Sequence, residues 1–396
     1  MAPVYIAGKT AIQTCDFDET TGALRAVGDL LEVDGAGSFL ALGSAAGWRN
    51  NVLYSVAKPG AAAFSVDPAT GGLTHLNTVK CEISGACHVA VADDALGVSK
   101  MVITAAYGGG GLNVISTRPD GGLVEVQPGA CIQHHGGSNV YQPGEGNEQE
   151  KAHPHSCFLD NGGQFALVSD LGQDKIYTYA VDAASGRLRE RSAAATAPGA
   201  GPRHLCFHPC GEVVYGLNEL DCTINVYRYD PKEGKLSPAV QTVSTLPAGY
   251  NNRDHANAKN AAGEAASGPN RPLQTNATAD IHISPDAKFV YGSNRGHDSL
   301  VCFAVSDDFE LELVGFTYTQ GAHPRNFSIH PSGKWILVAN QDSDNVVVFK
   351  RDVTTGALEA TGAKVTVKTA RCILWGLRPQ ELVKPAVGGG GYAEKQ

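Results

Sequence analysis

Four side chains are of types that suit acid–base chemistry on a carbonyl or carboxylate group: His155, Glu219, Arg203 and Arg295. A neutral imidazole and a carboxylate can exchange protons with a substrate, while two guanidinium groups can hold an anion and stabilise negative charge that develops on oxygen. Glu219 and Arg295 each follow an asparagine where a turn needs no long charged side chain, and Arg203 follows a Gly-Pro pair. We predict catalytic roles for all four, with either His155 or Glu219 as the base.

Further residues are predicted to line the substrate site because they stand at the same kind of position. These residues are His153, His204, Asp280, His282, Arg325 and Gln341. The chain has 13 histidines, so a purely structural role is the alternative for each of them. His204, His282 and Arg325 could contact the ligand or support residues that do, and His153 could be the partner of a turn.

The elements that must position these side chains are internal repeats. Each copy contains an alternating strand, a Pro-x-Gly type of turn, an apolar strand, a polar loop with an aspartate, a second alternating strand and an acidic turn with glycine. Four clear copies begin at His153, Arg203, Asp280 and Pro324, and weaker copies begin at Ser38 and Ala86. The repeat length of roughly 40 to 50 residues is typical of propeller blades.

The two ends of the chain complement each other. The N-terminal segment VYIAGKTAIQTCDFDETTGAL holds only the later strands of a repeat, and ARCILWGL near Cys372 has the pattern of an isolated first strand. Together they make a seventh repeat. The sequence therefore predicts an all-β fold, a seven-bladed propeller of four-stranded antiparallel blades closed by both termini, with residues 1–396 in one domain. Such closure removes free strand edges.

Propeller geometry brings the candidate residues together. The first strand of a blade runs beside the central channel and the second strand returns antiparallel, so the start of the first and the end of the second meet on one face. Equivalent positions of different blades then converge around the axis. Two irregular segments interrupt the repeats: an inserted loop at about 248–279 and a stretch that begins at His134. Either could be a surface excursion or a lid over the site.

Charge and composition exclude several classes of function. The net charge is −9, which predicts no nucleic-acid or membrane partner. No apolar run reaches the length of a membrane span, and the first residues lack the order of a secretory signal, so we predict a cytoplasmic protein. The ten cysteines are predicted to be free thiols. We expect no zinc at Cys206 and Cys210, no other required metal, and no cofactor, because nucleotide and metal motifs are missing.

Four segments resemble one known family. They are HPHSCFLDNGGQFALVSDLGQDKIYTY, GPRHLCFHPCGEVVYGLNEL, ADIHISPDAKFVYGSNRGHDSL and PRNFSIHPSGKWILVANQDSDNVVVF. These closely resemble the seven-bladed β-propeller lactonases, which include bacterial 6-phosphogluconolactonases and fungal 3-carboxy-cis,cis-muconate lactonizing enzymes. The resemblance is strong from His153 to Leu358 and rests mainly on repeat spacing before that.

The resemblance implies that a lactone ring is opened or closed without a metal. In the muconate branch one His, two Arg and one Glu are thought to act, and the positions that match their motifs are His155, Arg203, Glu219 and Arg295. The local motifs GPRH and NEL look more like the phosphogluconolactonase branch. We expect hydrolysis of a phosphorylated sugar lactone, with a muconate-type cycloisomerase and a non-catalytic binding scaffold as alternatives. The expected partner is a small anionic lactone or carboxylate, and the oligomeric state stays open.

Overall fold

The computed structural model describes residues 2–33, 39–45, 48–126, 129–140, 148–250 and 276–376. These residues form seven antiparallel sheets, so the predicted seven-bladed propeller is confirmed. A short 3-10 turn at Leu171–Gln173 accompanies the strands.

The first twelve strands build three blades, which we number in chain order. Their bounds are β1 (Ala2–Ala7), β2 (Ala11–Asp18), β3 (Ala23–Ala26), β4 (Leu31–Glu32), β5 (Leu40–Ala45), β6 (Trp48–Ala57), β7 (Gly60–Val66), β8 (Leu73–Lys80), β9 (Ala86–Asp93), β10 (Ser99–Ala106), β11 (Gly111–Ser116) and β12 (Ile132–Gln133). Blade 1 contains β1–β4, blade 2 contains β5–β8 and blade 3 contains β9–β12.

The remaining strands build blades 4 to 7 and complete blade 1. Their bounds are β13 (Pro154–Leu159), β14 (Phe165–Asp170), β15 (Lys175–Asp182), β16 (Arg187–Ala195), β17 (Pro202–Phe207), β18 (Val213–Asn218), β19 (Thr223–Asp230), β20 (Lys235–Leu236), β21 (Gln241–Ser244), β22 (Ala277–Ile283), β23 (Phe289–Arg295), β24 (Ser299–Val305), β25 (Leu311–Tyr318), β26 (Pro324–Ile329), β27 (Trp335–Asn340), β28 (Asn345–Arg351), β29 (Leu358–Thr366) and β30 (Cys372–Trp375). Blade 4 contains β13–β16, blade 5 β17–β21, blade 6 β22–β25 and blade 7 β26–β29.

The two ends of the chain close the ring within blade 1. Strand β30 pairs antiparallel with β1, with Ile373 opposite Ile6 and Cys372 opposite Ala7. The predicted closure by both termini is therefore confirmed. In blades 1 and 5 the outermost position is divided between two short strands, which both pair with the same neighbour.

The pattern of burial along each strand follows its position in the blade. All six residues of β14, β18 and β27 are buried, as expected for strands covered on both faces. The outer strands β16 and β29 instead alternate between exposed and partly buried residues. Only one face of an outer strand packs on protein, which explains why the sequence alternates there.

The hydrophobic core consists of layers between neighbouring blades. The buried residues described fall into seven clusters, and each cluster joins two adjacent blades around the ring, including blade 7 with blade 1. In the layer between blades 7 and 1, for example, Leu337 packs with Phe17 and Ile373. This arrangement places the inner strands β5, β9, β13, β17, β22, β26 and β30 side by side around the channel.

The predicted insertion ends earlier than the sequence suggested. Residues Ala277–Ala279 belong to β22, which begins three residues before Asp280. Residues 251–275, which make up most of the insertion, lie outside the described residues, as do 141–147 of the stretch after His134. Where the chain is described, no helix is long and apolar enough to cross a bilayer.

Candidate active site

Three of the predicted site residues are the extra residues of β-bulges on inner strands. The pairing of β13 with β14 jumps over His155, that of β17 with β18 jumps over Arg203, and that of β26 with β27 jumps over Arg325. A bulge leaves one residue out of the ladder and turns its side chain away from the regular alternation. Each of these three inner strands therefore presents a polar side chain at the same level of the channel.

A proline precedes each bulge residue, at Pro154, Pro202 and Pro324. Proline has no N–H group to donate to a ladder, so it is tolerated at the first residue of a strand or beside a bulge. In β13, β17 and β26, a proline followed by histidine or arginine thus marks the start of the strand. The histidine or arginine is the bulge residue, which does not pair with the neighbouring strand.

The centre of the site is the carboxylate of Glu219. Its Oε2 atom lies 2.9 Å from Nε of Arg203, and its Oε1 atom lies 2.5 Å from a terminal nitrogen of Arg295. The Nε2 atom of His155 lies 3.8 Å from Oε2 of the same carboxylate. The four residues that the sequence predicted to be catalytic therefore form one cluster, which joins blades 4, 5 and 6.

Backbone carbonyl groups of β22 hold both arginines in place. Arg203 donates to the carbonyl oxygen of Ala279 through a terminal nitrogen. Arg295 donates from Nε to the carbonyl of Ala277 at 3.2 Å and from a terminal nitrogen to that of Thr278 at 2.6 Å. Charge-assisted hydrogen bonds of this kind are among the stronger ones in proteins, so the guanidinium groups are pre-organised before any ligand binds.

The local charges determine which groups of the cluster are ionised. Burial raises the pKa of Glu219, but the guanidinium groups of Arg295 and Arg203 lower it by more, so the pKa lies below its usual value. Burial and then the charge of Arg203 lower the pKa of His155 well below the usual value for histidine. At neutral pH the site therefore contains a carboxylate, cationic guanidinium groups and a neutral imidazole.

Asp280 lies deeper in the channel than the sequence suggested, because β22 begins at Ala277. Its Oδ1 atom accepts from Nδ1 of His204 at 2.8 Å, and its Oδ2 atom lies 3.0 Å from Nε2 of His282. Asn326 donates to Oδ2 at 2.5 Å. Burial raises the pKa of Asp280, yet the two histidines, His282 first, lower it below its usual value. Asp280 thus ties three blades together beneath the cluster around Glu219.

His204 connects these two layers. Because Nδ1 of His204 donates to Asp280, Nε2 carries the lone pair and accepts from a terminal nitrogen of Arg203 at 3.2 Å. Burial and then the charge of Arg203 lower the pKa of His204 to about 4, so the ring is neutral. This chain of contacts runs from Asp280 through His204 to Arg203.

Two predicted substrate-binding residues, His153 and Gln341, contact other parts of the protein than the Glu219 carboxylate. Nδ1 of His153 lies 2.8 Å from the carbonyl oxygen of Tyr107, and the two rings stack with centroids 4.2 Å apart. Gln341 donates to Oδ1 of Asp342 at 3.0 Å. Their roles in substrate binding stay predictions.

Several residues at the site were missed by sequence reasoning. The ring of Tyr107 lies edge-on to His155 with centroids 5.4 Å apart, and Sγ of Cys87 donates to the carbonyl of His155 at 3.2 Å. Arg371 lines a small cavity with Phe39 and Arg203. Arg371 directly precedes β30. In the segment ARCILWGL it stands where arginine stands in GPRH and HPRN, so an alignment of these three segments would have identified Arg371 as a site residue.

Within the described residues no group of three or more histidine, cysteine, aspartate and glutamate side chains could hold a metal ion. The carboxylate oxygens at the centre are already engaged by other side chains: those of Glu219 by two arginines and those of Asp280 by two histidines. The donor set presents positive charge to a ligand, which favours an anion over a divalent cation.

Comparisons with known proteins point to one family. The family model described as Lactonase, 7-bladed beta-propeller, matches residues 3–375. The chain is 32% identical to the 6-phosphogluconolactonase of Bacillus subtilis over 330 residues, which cover 82% of this chain and 84% of that protein. It is 31% identical to the 6-phosphogluconolactonase of Formosa agariphila over 366 residues, 90% of this chain and 93% of that one. The periplasmic gluconolactonase of Pseudomonas aeruginosa superposes with a TM-score of 0.80 at 25% identity, covering 96% and 99% of the two chains.

Proposed function

The chain belongs to the seven-bladed β-propeller lactonase family, and on this premise we propose that it hydrolyses a phosphorylated sugar lactone of the 6-phosphogluconolactone type. One observation carries the proposal: a neutral His155 lies beside a carboxylate that holds two guanidinium groups in one buried cluster. A base next to pre-organised cationic donors is what lactone opening requires.

His155 is the better candidate for the base. Both oxygens of Glu219 are engaged by guanidinium groups, which reduces the tendency of that carboxylate to accept a proton. The imidazole makes no short contact with Glu219, since 3.8 Å exceeds hydrogen-bond distance. Its Nε2 atom is thus available to take a proton from a water molecule that attacks the lactone carbonyl.

Arg203 and Arg295 would stabilise the oxyanion that forms when water adds to the carbonyl carbon. Well-placed donors of this kind contribute roughly 3 to 4 kcal/mol each to the transition state. When the tetrahedral intermediate collapses, the bond between the carbonyl carbon and the ring oxygen breaks, and His155 returns its proton to that oxygen. The products are a hydroxyl group and a carboxylic acid, and the acid ionises and releases one proton at neutral pH.

We also propose that the reaction needs no metal. The positive charge of Arg203 and Arg295 supplies the stabilisation that a Lewis acid would otherwise give to the carbonyl oxygen. Turnover that is unchanged by a metal chelator supports this part of the proposal, and loss of turnover that a divalent cation restores would contradict it.

Cycloisomerisation of a muconate-type acid is the second candidate. The observation that favours it is the cluster itself, because His155, Arg203, Glu219 and Arg295 are the four positions that match the motifs of the lactonizing branch. In that reaction the arginines would hold carboxylates while His155 or Glu219 moves a proton at carbon.

The test is proton release in weak buffer on addition of 6-phosphogluconolactone, corrected for spontaneous hydrolysis. The variant Glu219→Gln removes the charge at the centre of the cluster, and Glu212→Gln, an exposed position in the same blade, is the matched control. We expect release above background in the wild type and in Glu212→Gln, and at least a hundredfold loss in Glu219→Gln.

Other outcomes separate the alternatives. No release at high enzyme concentration would overturn hydrolysis of this substrate. Formation of a lactone from a muconate-type acid would then support the cycloisomerase. Raised thermal stability with either ligand and no turnover of either would support a binding scaffold, since a ligand that binds only the folded state must stabilise it.

The compartment stays a prediction. The sequence predicts a cytoplasmic protein, whereas the similar structure from Pseudomonas aeruginosa is that of a periplasmic protein. Fractionation of the producing cells would test it.

A further inference from the structure

Positive charge exceeds negative charge around the mouth of the channel. The two oxygens of Glu219 are shared by Arg203 and Arg295. Arg325 and Arg371 stand nearby, and within the described residues neither guanidinium group forms an ion pair with a carboxylate. The site thus has two cationic groups besides the arginine pair that shares the single negative charge of Glu219.

Arg325 and Arg371 occupy equivalent positions in adjacent blades. Arg325 is the bulge residue before Asn326, which pairs with Ala339, and Arg371 directly precedes Cys372, which pairs with Ala7 in the same way. The side chains therefore approach the same space from neighbouring inner strands.

Both side chains line one small cavity that opens to solvent. Arg203, His204 and Phe39 are also in its wall. The Nε atom of Arg371 is buried and has no hydrogen-bond partner among the described residues. A buried guanidinium nitrogen without an acceptor is costly, and an anion in the cavity would supply one.

Repulsion between the guanidinium groups also favours an anion in this cavity. Burial, and then the charges of Arg203, Arg295 and Arg371, lower the pKa of Arg325 to about 9. Burial also lowers the pKa of Arg371, although Asp342 raises it in part. Asp342 is itself 3.5 Å from Nδ1 of His323 and partly exposed. A ligand that carries two negative charges would relieve this repulsion, and a phosphate group offers oxygens that match paired guanidinium groups.

We propose that Arg325 and Arg371 form an anion subsite that binds the phosphate group of the lactone, while Arg203 and Arg295, held by Glu219, serve the reacting carbonyl. The inference rests on the proposed function and divides the arginines of the site into two pairs with different tasks. It also makes Arg371 a determinant of specificity, because the choice between a phosphorylated lactone and an unphosphorylated one depends on this pair.

The test compares kcat/KM for 6-phosphogluconolactone with kcat/KM for glucono-δ-lactone, which lacks the phosphate. The ratio of the two values is measured for the wild type, Arg371→Gln, Arg325→Gln, Arg371→Lys and the control Arg189→Gln, an exposed arginine of an outer strand. We expect the ratio to fall about 10- to 100-fold in each Gln variant of the pair, as for loss of hydrogen bonds to a charged group. In Arg371→Lys the ratio should fall less, and in Arg189→Gln it should equal the wild-type ratio.

A wild-type ratio near one, or a ratio that neither Gln variant lowers, would overturn the subsite while leaving hydrolysis intact. If the wild type hydrolyses neither lactone, the proposed function fails and the subsite is judged by binding alone. Inorganic phosphate should then raise the Tm of the wild type above the value in chloride at matched ionic strength, and both Gln variants should lose the rise. No rise with phosphate, or a larger rise with acetate, would overturn the phosphate subsite.

Discussion

A terminal nitrogen of Arg295 lies 2.5 Å from Oε1 of Glu219, although the two residues are 76 positions apart and belong to different blades. The other oxygen of the same carboxylate contacts Arg203. One carboxylate therefore sets the distance between two guanidinium groups that would otherwise repel each other. This relationship makes Glu219 an organiser of the site, and it leaves the role of base to His155.

Glu219 should contribute to stability as well as to activity. Replacing Glu219 with Gln leaves Arg203 and Arg295 buried without a counter-charge, so we expect the free energy of unfolding to fall by about 3 kcal/mol or more. Urea denaturation of Glu219→Gln and of the exposed control Glu212→Gln measures the difference. Equal stability of the two variants would show that the ion-pair cluster contributes nothing to folding.

His155 should act in its neutral form over a wide pH range. Its pKa lies well below the usual value because of burial and the charge of Arg203, so we expect kcat/KM to stay flat from about pH 8 down to about pH 6 and to fall only below that. Replacing His155 with Gln should lower kcat roughly 10²- to 10⁴-fold. Rates corrected for spontaneous hydrolysis at each pH provide the profile.

The control for this experiment is His75→Gln, a change at an exposed histidine of an outer strand. It should leave the profile unchanged. An acid limb centred near the ordinary histidine pKa, or full activity of His155→Gln, would contradict the assignment and favour Glu219 as the base.

His282 should stabilise the protein more at low pH than at high pH. Burial lowers the pKa of His282, but Asp280 raises it by more, so the folded-state pKa lies above the unfolded value of about 6.5. The contribution is therefore fully present below that unfolded value and is lost as the pH rises through the folded-state pKa. We expect the difference in unfolding free energy between the wild type and His282→Asn to be larger at about pH 5.5 than at about pH 9, as urea denaturation would show.

Other buried histidines change the total pH dependence in the opposite direction, because burial lowers the pKa of His204 and His155. The comparison with His282→Asn cancels the contribution of His155, which is common to both proteins. The charge of His282 is one cause of the lowered pKa of His204, so that part of the His204 contribution is lost in the variant. A difference that grows with pH would contradict the pairing of His282 with Asp280.

Ala287 should be a position where glycine increases stability. It occupies the last position of a turn that glycine fills in three other blades, at Gly163, Gly211 and Gly333, and all four residues have positive φ, with 59° at Ala287. The left-handed conformation costs alanine about 1 to 2 kcal/mol, of which the greater freedom of glycine in the unfolded chain offsets part. We expect Ala287→Gly to raise the free energy of unfolding by about 0.5 to 1 kcal/mol.

The reverse change, Gly333→Ala, is the matched control and should lower the free energy of unfolding, because a Cβ there would also lie 3.3 Å from a terminal nitrogen of Arg351. Urea denaturation of both variants against the wild type provides the comparison. A loss of stability in Ala287→Gly would mean that its backbone is not strained.

Patterns along the sequence were enough to predict the seven blades, their closure by both termini and the level of the channel at which His155, Arg203 and Arg325 lie. These features could be predicted because strand alternation, turn residues and the proline that begins three of the inner strands are local patterns that recur along the chain.

Other features of the site depend on how the blades pack together. The depth of Asp280 depends on where β22 begins, and no turn residue marks that point after the insertion. The sharing of Glu219 by two arginines and the place of Arg371 beside Arg325 depend on contacts between different blades. A bulge shifts a side chain by one residue relative to its ladder, and the pairing of charges follows from how blades distant in sequence pack around one axis, which no local pattern records.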